Sequence, residues 1–329
     1  MGKKTAGITR ERSDGRNVML RIGVQTKNVV TDTNPAEGFD LLKRAGFSCA
    51  DFSLNEYLLN SAIYQSERNA FFDKSVKELE TFFAPHKKGA EAAGIAINQM
   101  HMPYPVYVPG GDDELNAYLW NVAAPKSLHV CAFFGCPYLV IHGFKLSHFL
   151  GSEELEWEQT EKFLHFLAPM AKEMGITLCI ENLYDSIGGH LVEGPCCHAQ
   201  KAVERIERIN DRYGGEVLGF CFDTGHANLI GLNFEKFITT LDGHLKVLHI
   251  HDNDGVSDLH QLPFTFTRTR ENLPSTDWEG FIGGLKHIGF EGTLSFETAP
   301  VLTAFPEEMK ADVLAFIART GRYLGSRIC

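Results

Sequence analysis

KVLHIHDNDGVSDLH, residues 246–260, starts as a strand and finishes as a cluster of ligand-type side chains. Val247, Leu248 and Ile250 make an apolar run, and the fifteen residues carry three His and three Asp, with Gly255 to bend the backbone. A strand that turns polar at its C-terminal end spills side chains beyond the sheet, so His251, Asp258 and His260 can converge on one point. A capped strand followed by an Asx-rich turn would give the same letters, since Asp, Asn and Gly are ordinary turn residues. The rest of the chain decides between the two, because other apolar runs stop at residues of the same kind.

Short apolar runs alternate with longer amphipathic ones, the pattern of βα units on a parallel sheet. Strands are predicted at Met19–Val24, Phe47–Ser53, Ile95–Met100, Tyr138–Ile141, 176–180, 217–222, the opening stretch and 292–296. Helices are predicted at Pro35–Ala45, with Asn34 as N-cap and Gly46 beyond its end, and at Ala70–Ala93, Asp113–Phe134 with a kink at Pro125, and Glu153–Met174. Further helices fall at His198–Tyr213, Phe234–Leu241, Trp278–Ile288 and Pro306–Tyr323. Eight strand–helix units with no low-complexity linker predict one (β/α)8 barrel, a TIM barrel, over residues 19–329. Two smaller α/β domains are the competing arrangement, but no Gly-rich phosphate fingerprint follows the first strand. Two long loops, Leu183–Pro195 and Gln261–Asp277, are expected over the C-terminal face, where such a barrel keeps its active site.

Composition narrows the function classes. The 329 residues, 44% of them apolar, fill one large barrel and contain nothing near the ~20-residue apolar run of a membrane span. Residues 1–18 carry Lys3, Lys4, Arg10, Arg12 and Arg16 without an apolar core, so they read as a polar, flexible arm and not a secretion signal. A net charge of −11 argues against a broad nucleic-acid surface. The eight cysteines, Cys49, Cys131, Cys136, Cys179, Cys196, Cys197, Cys221 and Cys329, form no CxxC pair and mostly lie in apolar stretches. Reduced thiols in a cytoplasmic protein are the expectation.

The residue after each strand supplies the chemistry. His101, His142, Glu181, Asp223, His251 and Glu297 follow strands three to eight, and in a closed barrel they form a ring at one rim. That is the ligand vocabulary of a divalent cation. Glu181, Asp223, His251 and Glu297 make an oxygen-rich set suited to manganese first, and also to cobalt, magnesium or zinc, with positions open for substrate oxygens. His226, three residues after Asp223, together with Asp258 and His260, forms a second group that either holds another ion or binds substrate hydroxyls.

The segments HMPY (101–104), IHG (141–143), IEN (180–182), FDTGH (222–226), HIHDNDG (249–255) with DLH (258–260), and SFET (295–298) resemble the xylose isomerase-like TIM barrels. The resemblance covers roughly residues 19 to 325 and spans sugar isomerases, sugar 3-epimerases, inosose dehydratases and the endonuclease IV group. Similarity to the ketose 3-epimerases implies one catalytic metal on Glu181, Asp223, His251 and Glu297. It also implies Glu181 and Glu297 as an acid/base pair on opposite faces of the sugar, with proton abstraction α to a carbonyl and a metal-stabilised enediolate. His142 joins them as a catalytic candidate, and His101 and His226 are assigned to the substrate.

Similarity to endonuclease IV implies instead that His101, His142, Glu181, Asp223, His226, His251, Asp258, His260 and Glu297 hold three zinc ions for abasic-site phosphodiester cleavage. The acidic balance and the lack of basic loops count against DNA. Where relatives run through a short Gly-rich turn to a Trp, this chain inserts LPFTFTRTRENLPS (262–275) before TDW (276–278). Arg268 and Arg270 there are candidates for a flat or anionic substrate group. The insertion keeps open the metal-dependent C-glycoside deglycosidases, which cleave a sugar–aryl C–C bond in 3-keto-glycosides and pair with a small second subunit. The remaining alternative is a non-catalytic sugar-binding barrel. The expected partner is a small carbohydrate, in a homo-oligomer, with neither membrane nor nucleic acid.

Overall fold

The apolar runs become eight strands: β1 (Arg21–Gln25), β2 (Cys49–Ser53), β3 (Ala96–His101), β4 (Tyr138–Ile141), β5 (Thr177–Glu181), β6 (Leu218–Asp223), β7 (Leu245–His249) and β8 (Thr293–Phe296). They pair in parallel in the order β8-β1-β2-β3-β4-β5-β6-β7. The seam between β7 and β8 is bridged at its C-terminal end: Ile250 N–H donates to Ser295 O at 2.9 Å, and Glu297 N–H to Ile250 O at 3.1 Å. The result is the expected (β/α)8 barrel. This computed structural model describes residues 20–146, 152–268 and 273–329. The polar arm read at residues 1–18 and the first strand's Met19 lie outside the described residues.

Two cores hold the barrel. Inside, Val140, Cys179, Cys221 and Val247 fill a small apolar layer beneath the C-terminal rim. Outside, Phe39, Leu42, Phe83, Leu128, Leu164, Ile206, Ile238, Phe281, Leu285 and Leu314 are fully buried between strands and helices. Truncating any of the phenylalanines to Ala would cost about 3–5 kcal/mol by lost transfer energy and an unfilled cavity. Seven of the cysteines are buried, in keeping with small apolar fillers.

Helix Pro35–Ala45 forms as expected, with Gly46 closing it at φ 102°. Asn34 does not cap it; its side-chain amide donates to Glu37 Oε2 instead, and its backbone N–H goes to Thr31 Oγ1. That helix packs very closely on its surroundings at Gly38, where an added Cβ would lie 2.5 Å from Val29 O and 2.7 Å from Val30 Cα. Both are backbone atoms and cannot rotate away. Gly38→Ala gains ~1 kcal/mol of helix propensity but loses more to overpacking, so a net destabilisation of roughly 1–3 kcal/mol is expected. A thermal melt of the variant should fall by several degrees, and an unchanged melt would show that the 29–30 turn can yield.

Several boundaries differ from the sequence reading. Helix Val76–Ala93 starts later than Ala70, because Ser75 and Glu78 make a capping box. The stretch 113–134 is two α-helical pieces, Asp113–Tyr118 and Ala124–Phe134, joined by a wider π turn at Leu119–Ala123. Pro125 has no N–H to continue the ladder there. The last helix runs Lys310–Ile328, after a short helix at Ala299–Ala304.

The supposed loop after β5 is an antiparallel hairpin, Tyr184–Ile187 with His190–Glu193, turned by Gly188 and Gly189 at φ 59° and 83°. A two-residue turn with both φ positive matches the strand twist and suits Gly-Gly. The second long loop carries a minimal ladder, Thr267–Arg268 against Leu273–Pro274. The side chain of Arg268 and the whole of Arg270 lie outside the described residues. Among the described residues no helix is long and apolar enough to cross a membrane.

Candidate active site

Alternation along each strand decides what reaches the rim. Cys179 and Glu181 on β5, Cys221 and Asp223 on β6, and Val247 and His249 on β7 point inward two residues apart, so each apolar filler carries a polar residue one layer above it. A register shift between Phe220 and Cys221 sets Asp223 opposite His249. The ring is therefore completed on β7 by His249, a residue absent from the candidate set. The signal for it was available: 247, 249 and 251 share one face, and only 249 is level with Glu181 and Asp223.

Glu181 is the hub. Its Oε2 lies 3.4 Å from His101 Nε2 and 3.2 Å from His142 Nε2, while its Oε1 lies 3.2 Å from His226 Nδ1 and 3.3 Å from His249 Nδ1. Glu181 is fully buried, and neither of its oxygens makes a hydrogen bond of good alignment. His249 Nδ1 is also 3.6 Å from Glu297 Oε2 and 3.9 Å from Asp223 Oδ2. Three carboxylates thus share one imidazole nitrogen.

The remaining candidates form an outer arc. Asp258 Oδ2 is 3.4 Å from His226 Nε2 and 3.2 Å from His260 Nε2. His260 contacts Glu297 Oε2 at 3.6 Å, and its Nδ1 lies 2.9 Å from Glu297 O. His251 sits beside the ring, not in it: its Nε2 is 3.0 Å from Asp223 Oδ2, and its ring stacks on His260 with centroids 3.9 Å apart. It lies flat against Gly225, where a Cβ would be 1.8 Å from His251 Cε1.

The backbone that presents these groups is tied down locally. Asp223 caps the helix Thr224–Leu229 through Oδ1, which accepts from His226 N–H at 2.7 Å. This is why the Asp-Thr-Gly-His spacing brings both side chains to one place. Asn182 and Asp223 exchange two hydrogen bonds of 2.9 Å, locking the ends of β5 and β6 together. Gln25, from β1, donates to Glu297 Oε1.

Burying several carboxylates would cost several kcal/mol each without counter-charge. Here imidazoles supply it. Burial alone would push Glu181 up, but His249 and His142 hold it well below the usual carboxylate range. Burial likewise opposes charge on His226 and His260, yet Asp223 and Asp258 keep His226 well above the ordinary imidazole value. Asp258 and Glu297 keep His260 at about 9. His142 is the exception, driven down to about 4 by burial despite Glu181 beside it.

The donor set fits a divalent cation. His101, His142 and Glu181, then Glu181, Asp223 and His226, then Asp223, His249 and Glu297 each bring three ligand atoms within 4.8 Å of one another. Among the buried atoms that lack a hydrogen-bond partner are both oxygens of Glu181 and Nδ1 of His249, which face this site. His251, His260 and Glu297 form a further group of this kind.

Above this floor lies a cavity of about 440 Å³, walled by Tyr64, Tyr104, Tyr107 and Tyr184, with Lys145 donating to Tyr184 O. The hairpin after β5 supplies Tyr184, Asp185 and Ser186 to that wall, which a structureless loop would not position.

Solved structures of the same architecture include a D-psicose 3-epimerase determined in the presence of D-fructose. It matches with a TM-score of 0.64 at 14% identity, covering 93% of this chain and 99% of that one. A 3-keto-D-glucoside 4-epimerase from E. coli matches at 0.62 and 15%, over 91% and 98%. At these identities the likeness is one of fold. An uncharacterised protein of Sinorhizobium fredii is 28% identical over 127 residues, so the match spans 35% of this chain and only 37% of that relative. A family model described as xylose isomerase-like TIM barrel matches residues 39–318, and the chain belongs to that family.

Proposed function

We propose that this protein is a divalent-metal-dependent enzyme of the sugar isomerase and epimerase type, moving a proton at the carbon next to a carbonyl. The observation that carries the reading is the pair of carboxylates, Glu181 and Glu297, on one imidazole nitrogen of His249 at the floor of a walled cavity. Glu181, Asp223, His249 and Glu297 would hold the cation, with manganese first among the candidates. A bound cation there supplies Lewis-acid polarisation of a carbonyl oxygen and its neighbouring hydroxyl.

The protein's own residues do the rest. Glu181 and Glu297 both reach the same nitrogen of His249, Glu297 fixed by Gln25, and are placed to take a proton and return one. His101, His142 and His226 line the cavity beside Glu181, where substrate hydroxyls would meet them. Tyr104, with its ring centroid 4.4 Å from His142, and Tyr184, 5.3 Å from His226, give the sugar flat faces to stack on. Both relatives above with printed activities are sugar epimerases, which supports the carbohydrate class. A polar arm at residues 1–18, a homo-oligomer and a cytoplasmic setting complete the proposal.

C-glycoside cleavage is the second reading, favoured by the aromatic wall of the cavity. Tyr64, Tyr104, Tyr107 and Tyr184 would offer flat faces to a ring attached to the sugar. Metal content and solvent exchange test both readings. Purified protein should carry about one ion of the manganese class per chain. It should also incorporate deuterium from D2O into a ketose or a 3-keto-glycoside, stop on chelation, and recover with Mn2+. Exchange with the glycoside accompanied by loss of the aryl group would select the second reading. Three zinc ions with cleavage of abasic DNA, or metal-loaded protein with no exchange on any substrate, would overturn both.

A further inference from the structure

Asp51 is fully buried on β2, across the barrel from β7, and takes no part in the ring of ligands. Its Oδ2 lies 3.3 Å from His249 Nε2, the nitrogen that faces away from Glu181 and Glu297; this is an ion-pair contact, not an aligned hydrogen bond, in the metal-free protein. The same oxygen accepts a 3.0 Å hydrogen bond from Gln99 Nε2, which also donates to Leu248 O at 3.2 Å. Asn98 Nδ2 donates to Gln99 Oε1 at 3.1 Å, so each side-chain amide in the chain has a defined orientation. A register shift between Ala50 and Asp51 makes this possible: Ala50 pairs with Ile97 and Asp51 with Gln99, so the extra residue lets both Asn98 and Gln99 turn inward.

We propose that Asp51 is a positioning residue for the metal centre: by accepting from His249 Nε2–H it leaves the Nδ1 lone pair directed at the cation site. The inference rests on the metal-site reading above and deepens it. A buried carboxylate behind a ligand imidazole fixes the tautomer, orients the ring and raises its basicity, and losing such a partner typically weakens metal binding about 10- to 100-fold. An aspartate placed here only to complete the core would have no such effect. The contrast matters because Asp51 Oδ1 has no hydrogen-bond partner of its own, so the residue is costly to bury and core packing gives no reason to keep it.

The test compares Mn2+ affinity, by calorimetric titration, in the wild type, Asp51→Asn and Asp51→Leu. The Asn variant retains an acceptor oxygen for Gln99 and His249 but loses the charge; the Leu variant loses both. Affinity should fall about tenfold in the first and up to about 100-fold in the second, with thermal melts of the metal-free proteins staying close together. Wild type that binds no Mn2+ refutes the metal site itself. Wild type that binds, with both variants binding within twofold of it, refutes only the role of Asp51. If the Leu variant does not fold, the nitrogen-15 spectrum of the wild type loaded with diamagnetic Zn2+ decides. His249 must then show a protonated Nε2 and a metal-shifted Nδ1, and a protonated Nδ1 overturns the proposal.

Discussion

Glu181→Gln is expected to lower turnover by a factor on the order of 10³ or more while leaving a folded barrel. The substitution is isosteric, and Glu181 lies at the end of a strand whose apolar neighbours carry the packing. What changes is charge. The carboxylate stands within 3.4 Å of four ring nitrogens, from His101, His142, His226 and His249, and it is the only group among the described residues in reach of all four. Gln can accept a hydrogen bond there, but it can neither take a proton nor neutralise a cation. The metal-free variant should hold fewer protons on His101, His226 and His249, because an anion that helps keep them charged is gone. Initial rates of deuterium exchange, with circular dichroism to confirm the fold, make the measurement. A rate within tenfold of wild type would place the reacting base elsewhere. Sugar binding unchanged beside a wild type that never turns over would favour a binding protein.

The barrel could be read from the sequence because its evidence is local. Each apolar run of four to six residues ends at a polar one, and glycines such as Gly46, Gly175 and Gly289 close the helices at positive φ. His101, His142, Glu181, Asp223 and Glu297 could be found by the same rule, since each sits at or just past a strand end. His249 was missed because the apolar run was read on through Ile250, which made His251 the residue after the strand, whereas the strand ends at His249. A strand end was taken one residue too far, and a slip of one or two residues exchanges a ring position for an outer one. Asp51 was beyond reach for a different reason. Its partners His249 and Gln99 are about two hundred and about fifty residues away in sequence, and the bulge that aligns Asp51 with Gln99 leaves no mark in the apolar pattern. The β5 hairpin was legible in principle from Gly188-Gly189 between Tyr184–Ile187 and His190–Glu193, but weak alternation in those strands hid it.

The distinction between the two histidines of HIHD is itself testable, and its outcomes are far apart. His249→Asn is expected to weaken Mn2+ binding by at least about a hundredfold, and His251→Asn by no more than about tenfold. His249 Nδ1 touches Glu181, Glu297 and Asp223 together, so deleting the ring removes the one nitrogen common to three carboxylates. His251 reaches Asp223 at 3.0 Å and Asp258 at 3.9 Å, and its ring is held between His260 and Gly225. Its loss should therefore loosen Asp223 and open a gap beside Gly225, lowering the melting temperature more than the affinity. Ligand linkage makes the contrast visible in one experiment, because Mn2+ at a hundred times its dissociation constant stabilises the native state by about 2.7 kcal/mol. Wild type and His251→Asn should both melt several degrees higher with Mn2+ than without, and His249→Asn should not move. The reverse pattern would put the ion in the outer group formed by His251, His260 and Glu297, whose ligand atoms also converge within 4.8 Å. The acid/base pair would then have to be redrawn around Glu297 alone.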